Sequence, residues 1–232
     1  MKVSMSEKAV VLFSGGMDST VTAMVAQRNG YDVIGLNVIY GQKHDVEIRA
    51  AQEVAEKIGI QLVHYRLNLD KLVKSALVRG GDEIPLDRDL DTLVGVAPTY
   101  VPARNSIFLA LAAGFADSYD NVRKIFIGVH RENHVNYPDC RPEFIEAMSK
   151  ALNLGTKNGI TIEAPFANGT KTDIAKVGHT LGAPFELTHS CYQGKRPACG
   201  VCDTCKIRIQ AFKEAGLVDP LEYEINIDWG VK

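Results

Sequence analysis

Six residues near the start of the chain, Ser14-Gly15-Gly16-Met17-Asp18-Ser19, have the types and spacing to hold a polyphosphate. Two adjacent glycines let the backbone turn tightly and approach an anion. Backbone N–H groups at a helix start, with the Ser14 and Ser19 hydroxyls, can cradle phosphate oxygens. Asp18 would repel a phosphate directly, so it suits a Mg²⁺ ligand or a residue that orders the loop. No lysine follows in the GxxxxGK[ST] pattern of the common nucleoside triphosphatases. A plain strand–turn–helix capped by Ser or Asp is the competing reading. The placement between an apolar run and a helical pattern argues for the anion.

The second constellation is Cys191-x₇-Cys199-x₂-Cys202-x₂-Cys205, four of the five cysteines in the chain. Four thiolates in one short stretch suit a closed, tetrahedral, structural Zn²⁺ site. An iron–sulfur cluster is the rival, because CxxCxxC occurs in ferredoxins. The ferredoxin continuation, a further Cys followed by Pro, is missing, and nothing else suggests electron transfer. Four buried free thiols would need an apolar surrounding, and YQGKRPACGVCDTCK offers none. Cys140 is distant in sequence and expected outside the metal site.

Three further groups carry weaker signals. In Tyr40-Gly41-Gln42-x-His44-x-x-Glu47, His44 and Glu47 are i,i+3 neighbours at a helix start and could share a proton; a surface helix cap explains them equally well. Tyr100-Val101-Pro102-Ala103-Arg104-Asn105 opens a helix with an arginine suited to phosphate or carboxylate. Tyr137-Pro138-Asp139-Cys140-Arg141 is a polar turn whose groups could recognise a heterocycle, though many turns contain Pro-Asp.

The elements that must position these groups alternate. Ala9–Phe13, Asp32–Tyr40, Gln61–Leu67 and Lys124–Val129 read as strands. Thr20–Arg28, Asp45–Ile58 and Asn105–Tyr119 read as helices between them, and Val46, Ala50, Val54 and Ile58 share a face. Such alternation predicts right-handed βαβ units and a parallel sheet. Arg79–Ala103 is long and poor in pattern, which marks a functional or mobile loop. Helices near Pro142–Leu154 and Lys171–Leu181, the cysteine-rich stretch and a helix near Ile207–Ala215 follow. The expected division is 8–165 and 166–232, the second packed on the first.

At 232 residues with 46% hydrophobic and 23% charged side chains, the chain can bury a substantial core. A net charge of −2 gives no global basic field for nucleic acid. Met1–Lys8 lacks the apolar run of a secretory signal, and the most apolar stretch, Ile107–Ala116, is too short for a membrane span. The expected location is the cytoplasm, where cysteines stay reduced.

The loop at Ser14–Ser19 resembles that of the N-type ATP pyrophosphatases, which implies transfer of AMP to an acceptor oxygen and release of pyrophosphate. The ordered set SGGxDS, YGQ-H--E, YVPARN, YPDCR, Lys171-Thr172 and SCY-x₆-CGVCxxC resembles the 7-cyano-7-deazaguanine synthases from about Ala9 to about Pro220. The resemblance implies a Rossmann-like α/β fold with a parallel sheet, flanking helices and a small C-terminal zinc-binding helical module. It implies ATP, 7-carboxy-7-deazaguanine and ammonia as substrates, Mg²⁺ with the ATP, one structural Zn²⁺ and a homodimer. ATP would be met by Leu12, Phe13, Ser14, Gly15, Gly16, Met17, Asp18, Ser19, Thr20, Val21 and Thr22. Catalytic candidates are Asp18, His44, Arg104 and Lys171; substrate-binding candidates are Tyr40, Gln42, Tyr137, Asp139 and Arg141; metal ligands are Cys191, Cys199, Cys202 and Cys205. Arg131 and Asn133 stand where acidic residues are usual in the family, so a negative site is expected to turn neutral or positive; His189 replaces a residue that is often aromatic.

Adenylation explains why no nucleophilic side chain is needed. A carboxylate is a poor electrophile until AMP becomes its leaving group; ammonia then gives an amide, and a second activation gives a nitrile. The protein orients the acid at the α-phosphate and neutralises charge, with Arg104 and Lys171 for charge and His44 as proton carrier. Rival readings are a related ligase stopping at the amide or using another acid, and a nucleic-acid-binding zinc module.

Overall fold

The computed structural model describes residues 7–44, 46–89, 95–134 and 136–230. The chain start through residue 6, the expected first helical residue Asp45, residues 90–94 of the pattern-poor stretch and the last two residues lie outside the described residues. Five parallel strands form one sheet: β1 (Lys8–Leu12), β2 (Asp32–Ile39), β3 (Gln61–Arg66), β4 (Val122–Phe126) and β5 (Thr161–Glu163). Their order is β3-β2-β1-β4-β5. The chain therefore builds outward from β1 on one side, then returns to build outward on the other. The connections leaving β1 and β4 run to opposite faces, and this opens a crevice above their carboxyl ends.

Among the described residues six α-helices complete the fold: α1 (Met17–Arg28), α2 (Val46–Ile58), α3 (Arg104–Asp117), α4 (Pro142–Gly155), α5 (Lys171–Leu181) and α6 (Asp203–Ala215). Helices α1 and α2 cover one face of the sheet, packing Ala23, Ala26, Ala51, Val54 and Ala55 on Ala9, Val11 and Phe13. Helices α3 and α4 cover the other, packing Leu109, Ala112, Ala113 and Ile145 on Val10, Leu36 and Ile125. With both faces covered, β2 is buried at seven consecutive positions, Val33–Ile39. The face of α2 that goes inside is Ala50, Ala51, Val54 and Ala55, whose small side chains bring its backbone close to the loop after β1.

The C-terminal part lies against α1. Met17 and Val21 of α1 pack with Ile174 and Ala175 of α5, Phe212 of α6, Phe166 and Phe185. Phe185 and Phe212 meet edge to face at 5.0 Å, and each buried aromatic contributes about 1.5–3 kcal/mol of transfer free energy. Helix α5 starts on a capping box, with Thr170 Oγ1 accepting from Asp173 N–H and Asp173 accepting from Thr170 N–H.

Three expectations change. Helix α6 begins at Asp203 instead of Ile207, because Cys202 occupies its N-cap and Cys205 its first turn. Within the stretch 79–103, residues 86–88 are docked: Leu86 bridges to Cys202, Asp87 N–H donates to Val201 O, and Arg88 pairs with Asp203. Their partners lie over a hundred residues away, so no local periodicity could announce them. Strand β5 is three residues long, too short for a pattern, and was absent from the expected strands. Among the described residues no helix is long and apolar enough to cross a membrane.

Candidate active site and metal centre

The crevice at the carboxyl ends of β1 and β4 is floored by the β1–α1 loop. Ser14 N–H donates to Ser19 Oγ at 3.2 Å, the two hydroxyls lie 3.1 Å apart, and Ser19 Oγ–H reaches Gly16 O at 3.1 Å. These bonds curl the loop and leave the helix start facing the cleft. Gly15 has φ +77°, and a Cβ there would lie 2.3 Å from the backbone nitrogen of Ala51. Both the left-handed conformation and the approach of α2 demand glycine. On the loop's other side, His189 N–H donates to Gly15 O at 3.0 Å.

Asp18 and Lys171 meet across the cleft. The Lys171 ammonium, on the first turn of α5, donates to both Asp18 oxygens at 2.5 and 2.6 Å. His130 Nε2 lies 3.7 Å from the same carboxylate. Burial alone would raise the Asp18 carboxyl, but Lys171 and His130 outweigh it and hold it below its ordinary value. His130 Nδ1 is 2.8 Å from Glu132, which also accepts from Lys171 N–H at 3.1 Å. Against the raising effect of burial, the His130 bond and the backbone N–H groups of Glu132 and Lys171 bring Glu132 down to about 2.

The opposite wall is Tyr40, Glu47, Arg104 and Phe108. Arg104 Cζ stands 6.0 Å from the centre of the Tyr40 ring. Burial works against the guanidinium charge, yet Tyr40, Cys140, Tyr192 and Asp139 keep its pKa above the ordinary value. Arg104 follows Ala103, which is held at φ +53°; this left-handed alanine costs about 1–2 kcal/mol and starts α3 with the arginine turned to the cleft. Burial pushes the Glu47 carboxyl up to about 7, with Arg104 pulling the other way. Thr99 Oγ1 lies 2.8 Å from the Tyr137 hydroxyl. Burial and Asp139 push the Cys140 thiol up to about 12, so it stays protonated.

Of the sequence-derived candidates, Leu12, Phe13, Ser14, Gly16, Met17, Asp18, Ser19, Tyr40, Gln42, Arg104, Tyr137 and Lys171 all line this cleft. Thr20, Val21 and Thr22 are buried behind it in α1. His44 is not brought in: a Cβ on Gly194 would lie 2.3 Å from its ring carbon, so the ring packs on the cysteine-rich stretch. Asp139 is buried outside the lining, where its carboxylate accepts from Asn105 N–H at 2.9 Å and caps α3. Arg141 Nε donates to His134 O on the exposed side. Of the two residues expected to make the site near β4 neutral or positive, the neutral Asn133 lines the cleft and Arg131 does not. Arg131 is exposed and outside the lining, Asn133 Oδ1 caps His130 N–H, and Glu132 supplies a negative charge beside Lys171.

Asn37, Thr99, Phe108, His189, Ser190 and Tyr192 line the cleft without having been singled out as site residues. Tyr192 belongs to the SCY motif, which was the available signal. Asn37 interrupts an otherwise apolar strand, donating to Phe13 O at 2.8 Å; a buried amide in β2 was the sign to follow.

The four cysteines Cys191, Cys199, Cys202 and Cys205 are buried, with all sulfurs within 4.8 Å of one another. Cys199 N–H points to Cys191 Sγ and Cys202 N–H to Cys199 Sγ, both at 3.4 Å. Converging sulfurs that receive backbone N–H groups fit thiolates around one metal ion, since a tetrahedron with bonds of about 2.3 Å needs sulfurs about 3.8 Å apart. Cys140 lies outside this group. The cluster is tied to the cleft by Arg208 of α6. Its Nη1 donates to Thr188 and Ser190, its Nη2 to Phe185 O and Asp219, and its Nε to Asp219. Every guanidinium N–H thus has an acceptor, and Thr188 and Ser190 flank the His189 that holds the Gly15 carbonyl.

Residues 8–216 match the family described as queuosine biosynthesis protein QueC. The 7-cyano-7-deazaguanine synthase of Thermoplasma acidophilum is 45% identical over 94% of this chain and 92% of its own length. That of Nostoc punctiforme is 44% identical over 93% of this chain and 99% of its own length. In fold, the structure is similar to NMN synthetase from Francisella tularensis, with a TM-score of 0.50, 15% identity, and coverage of 92% of this chain and 79% of that one. A match running from β1 through the end of α6, with relatives this similar over nearly the whole length, means that the chain belongs to the QueC family.

Proposed function

We propose that the chain is an ATP-dependent 7-cyano-7-deazaguanine synthase, converting 7-carboxy-7-deazaguanine and ammonia through an adenylate and an amide to the nitrile. The observation that carries this reading is the glycine-rich loop at the β1/β4 switch point, faced by Lys171 and Arg104, in a chain 45% identical to a protein of that name.

The loop N–H groups with the Ser14 and Ser19 hydroxyls hold the β- and γ-phosphates, which leave together as pyrophosphate. Lys171 neutralises charge developing on the departing pyrophosphate, released for that task from Asp18 as the phosphates arrive. Mg²⁺ bound with the ATP would be held at the loop by the Asp18 carboxylate and would supply neutralisation of the phosphate charge. Tyr40, Phe108, Tyr137 and Tyr192 give the flat heterocycle aromatic faces, and Gln42 offers an amide edge. Arg104 orients the 7-carboxylate toward the α-phosphate. Asp139 and Arg141 act indirectly, by setting the start of α3 and the turn that carries Tyr137. Residues 8–165 form the ATP-handling body and 166–232 a buttress in which Cys191, Cys199, Cys202 and Cys205 hold one Zn²⁺.

Incubation with the acid, ATP and ammonium tests this directly. Chromatography should give AMP and pyrophosphate, and mass spectrometry a transient amide followed by the nitrile. ADP with phosphate as the sole nucleotide products would refute the adenylation chemistry, and a lasting amide would refute the nitrile as end product.

A further inference from the structure

Aminolysis raises a problem that adenylation does not. At neutral pH ammonia exists almost wholly as ammonium, which has no lone pair to attack an acyl carbon. A site that uses it must hold the cation and remove a proton beside the acyl adenylate. Among the described residues, two carboxylates line the cleft, Asp18 and Glu47. Asp18 is spoken for: Lys171 and His130 face it in this structure, and with ATP bound it would be the carboxylate at the loop for Mg²⁺. A carboxylate so neutralised is a poor base. Glu132 and Asp139 lie outside the lining and are committed to N–H donors. Glu47 is half-buried on the first turn of α2, beside Tyr40 and Arg104, and no described residue hydrogen-bonds its carboxylate.

We propose that the Glu47 carboxylate is the proton acceptor for incoming ammonium in the aminolysis of the acyl adenylate, an assignment that rests on the function proposed above. Ammonium gives one proton to Glu47 and becomes ammonia. The nitrogen lone pair then forms the C–N bond, the acyl–oxygen bond to AMP breaks, and AMP leaves with that electron pair. The second proton passes to solvent from the new ammonium-type nitrogen, leaving the neutral amide. Burial, which pushes Glu47 up to about 7, matches the base to neutral pH. The charged group that acts on it is Arg104 on α3, and Glu47 in turn raises the Tyr40 phenol after β2. Farther along the same cleft are Asp18, Lys171, Cys140, His189 and the phenols of Tyr137 and Tyr192. His44, three residues earlier, packs on Gly194 and does not face this space.

The test separates the two half-reactions in Glu47→Gln, an isosteric change at a carboxylate with no hydrogen bond to lose. Acid-dependent exchange of labelled pyrophosphate into ATP without ammonium should stay within about twofold of wild type, because adenylation needs no base. Amide formation from ammonium should fall by about a hundredfold or more. Hydroxylamine, neutral at the same pH, should give the hydroxamate at close to the wild-type rate, and Glu47→Asp should recover part of the ammonium reaction. Equal losses with ammonium and hydroxylamine would assign Glu47 a structural role and overturn the proposal, as would unchanged amide formation. Absence of pyrophosphate exchange in the wild type with this acid would instead overturn the reading of function.

Discussion

Lys171, Asp18, His130 and Glu132 form one connected set of polar contacts beneath the phosphate loop. Glu132 is the member whose titration reads out most simply. Its pKa is depressed in the fold, from an ordinary 4.5 to about 2, so the folded state binds fewer protons than the unfolded chain in that window. Its contribution is complete above about pH 4.5 and is lost as pH falls toward 2. The side chain is 38% exposed, so solvent screening keeps the effect small. Glu132→Gln should lower stability by a small, constant amount above about pH 4.5 and converge with wild type toward pH 2, which flattens the acid limb between those values; an unchanged acid limb would contradict this. Gly15 makes a harsher residue-scale prediction. Gly15→Ala combines a left-handed alanine with a contact at 2.3 Å to α2 backbone. The loop must move, and ATP-dependent pyrophosphate exchange should fall by at least about a hundredfold, the scale of losing a positioned donor.

Among the elements, α6 does more than its sequence suggests. Its Arg208 is fully buried with Asp219, both side chains at 0% exposure. Burial works against the Arg208 charge, but Asp219 keeps its pKa above the ordinary value. Asp219 also accepts from Leu221 N–H and the Tyr223 hydroxyl. A buried pair of this kind is weak as a source of stability but costly to break, because the surviving ion has no solvent. Arg208→Met should therefore destabilise by about 3–5 kcal/mol, readable by urea unfolding, and the loss should exceed that of a surface Arg such as Arg123→Met. A change below about 1 kcal/mol would mean that Asp219 finds water or another partner.

At the scale of the whole molecule, the cysteine cluster, α6 and the phosphate loop form one mechanical path. Cys202 and Cys205 sit at the start of α6, Arg208 two turns on holds Thr188 and Ser190, and His189 between them holds the Gly15 carbonyl. The same cluster anchors the stretch at Leu86–Arg88 through Cys202 and Asp203. Stripping the metal with a chelator should lower Tm and weaken binding of a non-hydrolysable ATP analogue together, with hydrogen exchange rising at Leu86–Arg88 and at Gly15–Gly16. Loss of Tm with unchanged nucleotide affinity would show that the path does not transmit. Elemental analysis should find one zinc per chain; iron with labile sulfide would reverse the choice of metal.

The sequence by itself determined the parallel α/β sheet, the phosphate loop and the four cysteines, because each rests on local information: apolar runs of strand length, glycines at a strand–helix junction, thiols a few residues apart. It brought Lys171 and Arg104 into view through short motifs, but it could not say that Lys171 would close on Asp18 from 153 positions away. Nor could it distinguish His44 from Glu47. Both sit at one helix start with chemistry to offer, and only the docking of Gly194 on one side and Arg104 on the other decides which faces the cleft. Asp139 reads as a binding residue until α3 is seen to need its carboxylate. Arg208 reads as an ordinary helix arginine until α6 is packed and every donor finds its partner. The reason is the same in each case: a side chain's role is set by desolvation and by partners distant in sequence, and those exist only once the chain has closed on itself.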